Sequence, residues 1–218
     1  MDSLLLHYYA RRAQEYERIY ERPERQADLA ALDKLLRSLL VDRDVLELAC
    51  GTGYWTARVA PVVRSVLATD LTPEVLAIAR DKSYPPGQVR FAEADAYAPE
   101  TVPGRFSAVM AGFWWSHVPR QRLPVFLRHV RDRAGTTCRV VFFDNRFVSG
   151  SSTPISRTDE HGNTYQERTL ADGTRHEVLK NFPSRAELFD IVAPDARDVT
   201  YTELHYYWCL SYTVRPER

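Results

Sequence analysis

Charge of one sign, cysteine, lysine and long apolar runs are what this sequence has little of. Its 29 basic residues are balanced by 29 acidic ones. The one-signed electrostatic footprint of a dedicated nucleic-acid binder is missing, so RNA and DNA are not expected partners. Three of the basic residues are lysine and 26 are arginine, a bias that reflects GC-rich coding more readily than function. Cys50, Cys138 and Cys209 are odd in number, far apart and set in apolar segments. That argues against a disulfide framework and against a zinc site, and no metal is expected. The longest early apolar run, Leu4 to Leu6, is too short for a signal-peptide core or a membrane span. A cytoplasmic protein with no membrane partner is the expectation. A chain of 218 residues suffices for one domain with a real core.

What is present is organised around Val45 to Thr56, Val-Leu-Glu-Leu-Ala-Cys-Gly-Thr-Gly-Tyr-Trp-Thr. An apolar run of β character breaks at two glycines one residue apart and continues into residues that open a helix. Glycine at 51 and 53 lets the backbone approach a ligand, and the N–H groups at a helix start favour anionic or electron-rich atoms. This points to a small polar cofactor or, more blandly, to a tight strand-to-helix connection.

Two amphipathic helices precede this stretch. Residues 1 to 22 place Tyr9, Ala13, Tyr16 and Tyr20 on one face, and residues 24 to 40 carry a leucine stripe. Strands follow at Val45 to Ala49, Ser65 to Thr69, Val89 to Ala92, Phe106 to Ala111 and Thr137 to Phe143. Helices lie between them, at Tyr54 to Ala60, at Glu74 to Lys82 behind Pro73, and from Pro119 to Arg133. The alternation predicts an α/β, Rossmann-like parallel sheet with helices on both faces. Residues 145–183 break the rhythm with two extended runs, Thr164 to Leu170 and Thr174 to Leu179, joined by Ala-Asp-Gly, which predicts an inserted β-hairpin. A helix from Ser184 to Ile191 has a capping box with Glu187. Val199 to Leu204 and Tyr206 to Val214 are too close for a crossover helix, so an antiparallel terminal pair completes seven strands. The apolar last run is a candidate edge for pairing, leaving monomer and homodimer both open.

These residues resemble the class I S-adenosylmethionine-dependent methyltransferases over about residues 45–144 by motif, and over the terminal strands by topology. The glycine motif reads Glu47-Leu-Ala49-Cys-Gly51-Thr-Gly53, with Ala49 where the family has its first glycine. The resemblance implies that S-adenosyl-L-methionine is the cofactor and that Glu47, Ala49, Gly51 and Gly53 form its seat. The acid ending strand two, Asp70, 19 residues beyond Gly51, would take both ribose hydroxyls, with Leu71 beside it. Independent chemistry agrees, since a carboxylate accepts two hydroxyl donors. Asp95 and the Ala96 backbone would contact adenine, and Gly112 would close strand four on the cofactor side. Plainer roles stand beside these: Asp70 as a helix cap, Asp95 as a turn residue, Glu47 as an organiser of the glycine turn. A third motif glycine is absent, because position 56 is Thr, which separates the pattern from a dinucleotide fold.

The loop after strand four, Gly112-Phe113-Trp114-Trp115-Ser116-His117-Val118-Pro119, lies beyond the carboxyl ends of the strands, where ligands bind in open α/β sheets. Phe113, Trp114 and Trp115 are the expected substrate wall, together with Tyr20. His117 is the expected general base and substrate contact, against a plain loop-bonding role. The first helix and the hairpin are expected lids, with Tyr16 as a cofactor contact. Arg157, Tyr165, Arg168, His176 and Lys180 either recognise an acidic or polar substrate or form a solvated face. The leading function is methyl transfer to O or N of a small molecule, a small-molecule acceptor being the expected partner. The alternatives are a protein or RNA methyltransferase and a cofactor-binding interaction protein without catalysis.

Overall fold

The computed structural model describes residues 13–170 and 173–216. Five strands, β1 (Asp44–Leu48), β2 (Ser65–Asp70), β3 (Val89–Glu93), β4 (Ala108–Gly112) and β5 (Arg139–Asn145), pair in parallel in the order β3-β2-β1-β4-β5. The inner strands β1, β2, β4 and β5 are buried on both faces and so read as near-continuous apolar runs, whereas β3, at the sheet edge, is only partly buried. The sheet is the expected seven-stranded α/β one.

Period-two alternation splits its core. Leu46, Leu48, Val109, Val140 and Phe142 face one way, against helices α4 (Leu123–Ala134) and α5 (Arg185–Val192). Val45, Ala68, Met110, Val141 and Phe143 face the other, against α1 (Gln26–Leu40) and α2 (Tyr54–Val59). In α1, Leu29, Leu32, Leu36 and Leu40 are buried at spacings of three and four. Each such leucine contributes about 2 kcal/mol by removal from water. Helix α3 (Pro73–Arg80) follows β2 with proline in its first turn. Among the described residues no helix is long and apolar enough to cross a membrane.

Four expectations need correction. The final strand β10 (Tyr207–Val214) is not an edge: it lies between β5 and β9 (Ala196–Glu203), antiparallel to both and buried along its whole length. Burial at every position, Ser211 and Thr213 included, is what an interior strand requires. The first expected helix is described only from Ala13, and Ala13–Tyr20 is a 3-10 helix. Helix α4 begins at Leu123, not at Pro119, because residues Arg120–Arg122 form a 3-10 turn before it. The expected hairpin gains a third short strand, so β6 (Arg157–Thr158), β7 (Thr164–Thr169) and β8 (Arg175–Leu179) form a separate antiparallel sheet. The Ser184 capping box is present with both its bonds, Glu187 N–H to Ser184 Oγ at 3.2 Å and Ser184 N–H to Glu187 Oε2 at 2.7 Å.

Candidate active site

The strand order reverses between β1 and β4, and each strand is followed directly by a non-glycine residue of left-handed conformation: Ala49 at φ +52° and Phe113 at φ +56°. Each costs about 1–2 kcal/mol. Paired strain at the switch point marks the crevice where such sheets bind ligands.

On the β1 side the turn is left-handed again at Gly51, φ +56°, and Gly53, φ +75°. The two glycines have different reasons. A Cβ on Gly51 would meet nothing within 4 Å, whereas one on Gly53 would lie 2.6 Å from Tyr84 Oη and 3.0 Å from Ala79 Cβ of α3. Gly51 therefore leaves room above the turn, and Gly53 lets the turn pack on α3. The Asp70 carboxylate braces both ends of this region, accepting from Gly51 N–H through Oδ2 and from Thr72 N–H through Oδ1, each at 2.9 Å. Burial raises its pKa against the lowering effect of these bonds. Leu71 follows it, partly buried.

Glu47 lies beneath the turn rather than in the crevice. It is 2% exposed, and its Oε2 accepts from Thr56 Oγ at 2.6 Å, tying β1 to α2. Burial pushes its carboxyl up to about 8. Asp95 Oδ1 accepts from Tyr97 N–H at 2.9 Å, a turn that sets Ala96, itself buried, just past β3. Above the glycine turn the N-terminal segment is fastened by Glu17, whose carboxylate accepts from Thr52 Oγ at 2.6 Å and pairs with Lys82. Tyr20 is buried, stacked on Tyr54 at 3.7 Å and edge-on to Phe113 at 5.8 Å. Tyr9 and the side chain of Tyr16 lie outside the described residues.

The aromatic loop does not form one wall. Phe113 joins Trp55, Phe143 and Tyr207 on the α1 side. Trp114 and Trp115 turn to the other face, Trp115 being 1% exposed against Phe142 and Trp208. Strict alternation along β4 would send Phe113 to the face of Val109 and Ala111, but its left-handed backbone (φ +56°) breaks the alternation and turns it to the face of Ala108 and Met110. Gly112 is where Phe143 packs, since a Cβ there would lie 2.3 Å from that ring. The structure thus brings Phe113 and His117 to a common cavity and does not bring Trp114 and Trp115 there.

That cavity, about 560 Å³, lies between the N-terminal segment, the β4 loop, the end of β5 and the inserted sheet. His117 is on its wall, 5% exposed, with Nδ1 2.7 Å from Leu179 O. A carbonyl can only accept, so Nδ1 carries a hydrogen, and in the neutral ring Nε2 keeps a lone pair. The inserted sheet holds this geometry: Asn181 N–H donates to Ser116 O at 2.8 Å, Asn181 Nδ2 to Val118 O at 3.1 Å, and Arg120 N–H to Asn163 Oδ1 at 2.7 Å. Beside it Lys180 Nζ donates to Asp144 Oδ1 at 3.0 Å and to Ser116 Oγ at 2.6 Å, all three residues being buried. Of the other hairpin residues, Arg168 lines the cavity. Arg157 is exposed, paired with Glu177 at 2.6 Å and over the Tyr165 ring at 3.8 Å, and His176 Nε2 is 3.0 Å from Thr174 Oγ.

Sequence reasoning missed Asp144, Ser116, Arg22 and Arg25. An acid directly after the apolar run of β5 was a usable signal for Asp144, being the place where a strand reaches the ligand edge of the sheet. Arg22 and Arg25 carried none among 26 arginines.

Residues 45–134 match the family model described as a methyltransferase domain. Among solved structures, DhpI in complex with SAH is similar with a TM-score of 0.78 and 28% identity, over 98% of this chain and 97% of that one. The DhpI complex with SAM and HEP is similar at 0.76 and 28%, over 96% and 95%. The glycopeptide N-methyltransferase MtfA complexed with S-adenosyl-L-homocysteine shares the fold at 0.60 and 17% identity, over 85% of this chain and 88% of that one. Comparison with curated proteins found no significant match. With the glycine turn, the acid closing β2 and the strand order all in agreement with the matched domain, the chain carries a methyltransferase domain over residues 45–134 and has the class I S-adenosylmethionine-dependent methyltransferase fold.

Proposed function

We propose that the protein methylates an oxygen or nitrogen of a small molecule bound in the cavity beside Phe113, with His117 as the general base. The observation that carries this is the 2.7 Å contact from His117 Nδ1 to the Leu179 carbonyl. It holds the ring with Nδ1 as the donor, which supports Nε2 as the proton acceptor, on the wall of a cavity of small-molecule size, the usual range being roughly 300–1,000 Å³. The similarity to DhpI, solved with SAM and HEP, supports a small acceptor over a macromolecular one.

The residues present fit the cofactor. The empty space at Gly51, where a Cβ would meet nothing, and the Asp70 carboxylate suit its amino-acid end and its ribose hydroxyls. Asp95 and Ala96 would hold adenine, as the resemblance implies. When bound, the sulfonium supplies the activated methyl carbon. The chain's own part is alignment and desolvation: Tyr20, Trp55 and Phe113 pack as one aromatic group at the crevice, excluding water and presenting ring faces favourable to a cation. His117 Nε2 takes the proton that the nucleophile loses as it bonds to the methyl carbon.

Replacing His117→Ala tests the reading. Turnover should fall about 10²–10⁴-fold, while calorimetric affinity for S-adenosylhomocysteine changes less than about threefold. Unchanged turnover at neutral pH would remove His117 from the mechanism.

A further inference from the structure

Arg25 is the least compensated charge on the cavity wall. It is 9% exposed, and its Nε has no hydrogen-bond partner. Its Nη2 donates to Ser151 Oγ at 3.1 Å, and its guanidinium lies 4.9 Å from the Tyr206 ring and 5.9 Å from the Tyr207 ring. Among the described residues no carboxylate lies within ion-pair distance of it. A guanidinium does not discharge by losing its proton. Burying it without a counter-ion is costly, and buried charges are normally paired.

Its surroundings do not supply the missing charge. Arg22, half-exposed, donates to Ser151 O at 3.4 Å and pairs with Glu24 at 3.9 Å, and Arg168, whose Nη2 donates to Gln166 Oε1 at 2.8 Å, stands on the inserted sheet of the same wall. Lys180 is already matched by Asp144. The one carboxylate residue on the wall among the described residues, Glu167, is exposed and engaged by Arg175 at 3.4 Å. Arg25 therefore presents to the cavity a buried, multi-donor cation without an ion-pair partner among the described residues, and its planar geometry suits a carboxylate or phosphate-type group.

We propose that Arg25, together with Arg22 and Arg168, binds an oxyanion of the methyl acceptor, so that the enzyme selects small molecules bearing a carboxylate or a tetrahedral oxyanion. This rests on the reading of the cavity as the acceptor site. The arginines bind and orient; the nucleophile and His117 exchange the proton as before.

The test uses the full-length protein, with inorganic phosphate and acetate as probes and glycerol as a neutral control. Phosphate binding is read from broadening of its ³¹P resonance, acetate binding from its displacement of phosphate, and S-adenosylhomocysteine binding from calorimetry. Wild type should bind phosphate, acetate should compete, and glycerol should not. Arg25→Gln should weaken phosphate at least about tenfold while leaving S-adenosylhomocysteine within about threefold. Arg168→Gln carries the same test if Arg25→Gln fails to fold. Tighter phosphate than acetate assigns a tetrahedral oxyanion, and the reverse assigns a carboxylate. No phosphate binding in wild type, or equal binding in both variants, overturns the proposal while S-adenosylhomocysteine binding leaves the methyltransferase reading standing. Competition between S-adenosylhomocysteine and phosphate also overturns it, by giving the arginines to the cofactor's carboxylate. Phosphate binding without S-adenosylhomocysteine binding would keep the oxyanion site and remove the reading it serves.

Discussion

Two buried carboxyl groups stand on the two sides of the site, and the protein handles them differently. Glu47, on the cofactor side, is held in β1 by a single hydroxyl bond from Thr56, and burial pushes its pKa up to about 8, so near neutrality it keeps a proton. Asp144, beside the cavity proposed for the acceptor, is 0% exposed and meets the Lys180 ammonium at 3.0 Å, the Ser116 N–H at 2.9 Å and the Asn145 N–H at 2.7 Å. One acid is made tolerable by a proton within a local strand-to-helix unit. The other is made tolerable by a lysine from an inserted sheet 36 residues away. The glycine-turn side is built by local backbone conformation, and the side proposed for the acceptor by polar side chains brought together over long range.

The sharpest way to break that comparison is to remove the lysine. Lys180→Met leaves the Asp144 carboxylate buried without its cation, which should cost about 3–5 kcal/mol, read as a lowered urea midpoint. Lys180→Met with Asp144→Asn should recover more than half of the loss. A single variant as stable as wild type would show that the inserted sheet does not depend on this pair.

On the cofactor side the backbone itself is the lever. Gly51→Leu has open space for its side chain but must adopt φ +56°, so the fold should lose only about 1–2 kcal/mol. Affinity for S-adenosylhomocysteine should fall at least about 100-fold, or about 2.8 kcal/mol. Gly53→Ala inverts the pattern, since its Cβ would strike Tyr84 Oη, which donates to Ala79 O at 2.7 Å. It should lower the melting temperature more than Gly51→Leu does. Equal effects of the two on stability and on binding would erase the distinction between a ligand glycine and a packing glycine.

The same contrast decides how much the sequence could tell. The order of elements, the glycine turn and the place of Asp70 at the end of β2 were legible because each is written in local sequence, where periodicity and turn chemistry operate. The interior place of β10 was not, since an apolar run is compatible with an edge or a centre until its neighbours are known. Nor was the division of Phe113 from Trp114 and Trp115, which depends on a left-handed residue breaking the strand's alternation at Phe113. The Arg25 and Asp144–Lys180 arrangements depend on contacts between segments more than a hundred and more than thirty residues apart, for which one sequence carries no spacing rule.

The smallest effect concerns the proton on Glu47. Its folded pKa, about 8, lies above the ordinary 4.5, so between these values the folded state holds a proton that the unfolded chain has lost. Stability from this group is therefore complete below about 4.5 and is lost as pH rises toward about 8. Glu47→Gln keeps an acceptor for Thr56 and removes the titration. Between pH 6 and 7 wild type should lose about 1.4 kcal/mol relative to the variant, measured as the difference between their denaturation midpoints at each pH. A difference that stays constant across that interval would mean that Glu47 is already ionised in the folded state, and the two buried acids would then be handled alike.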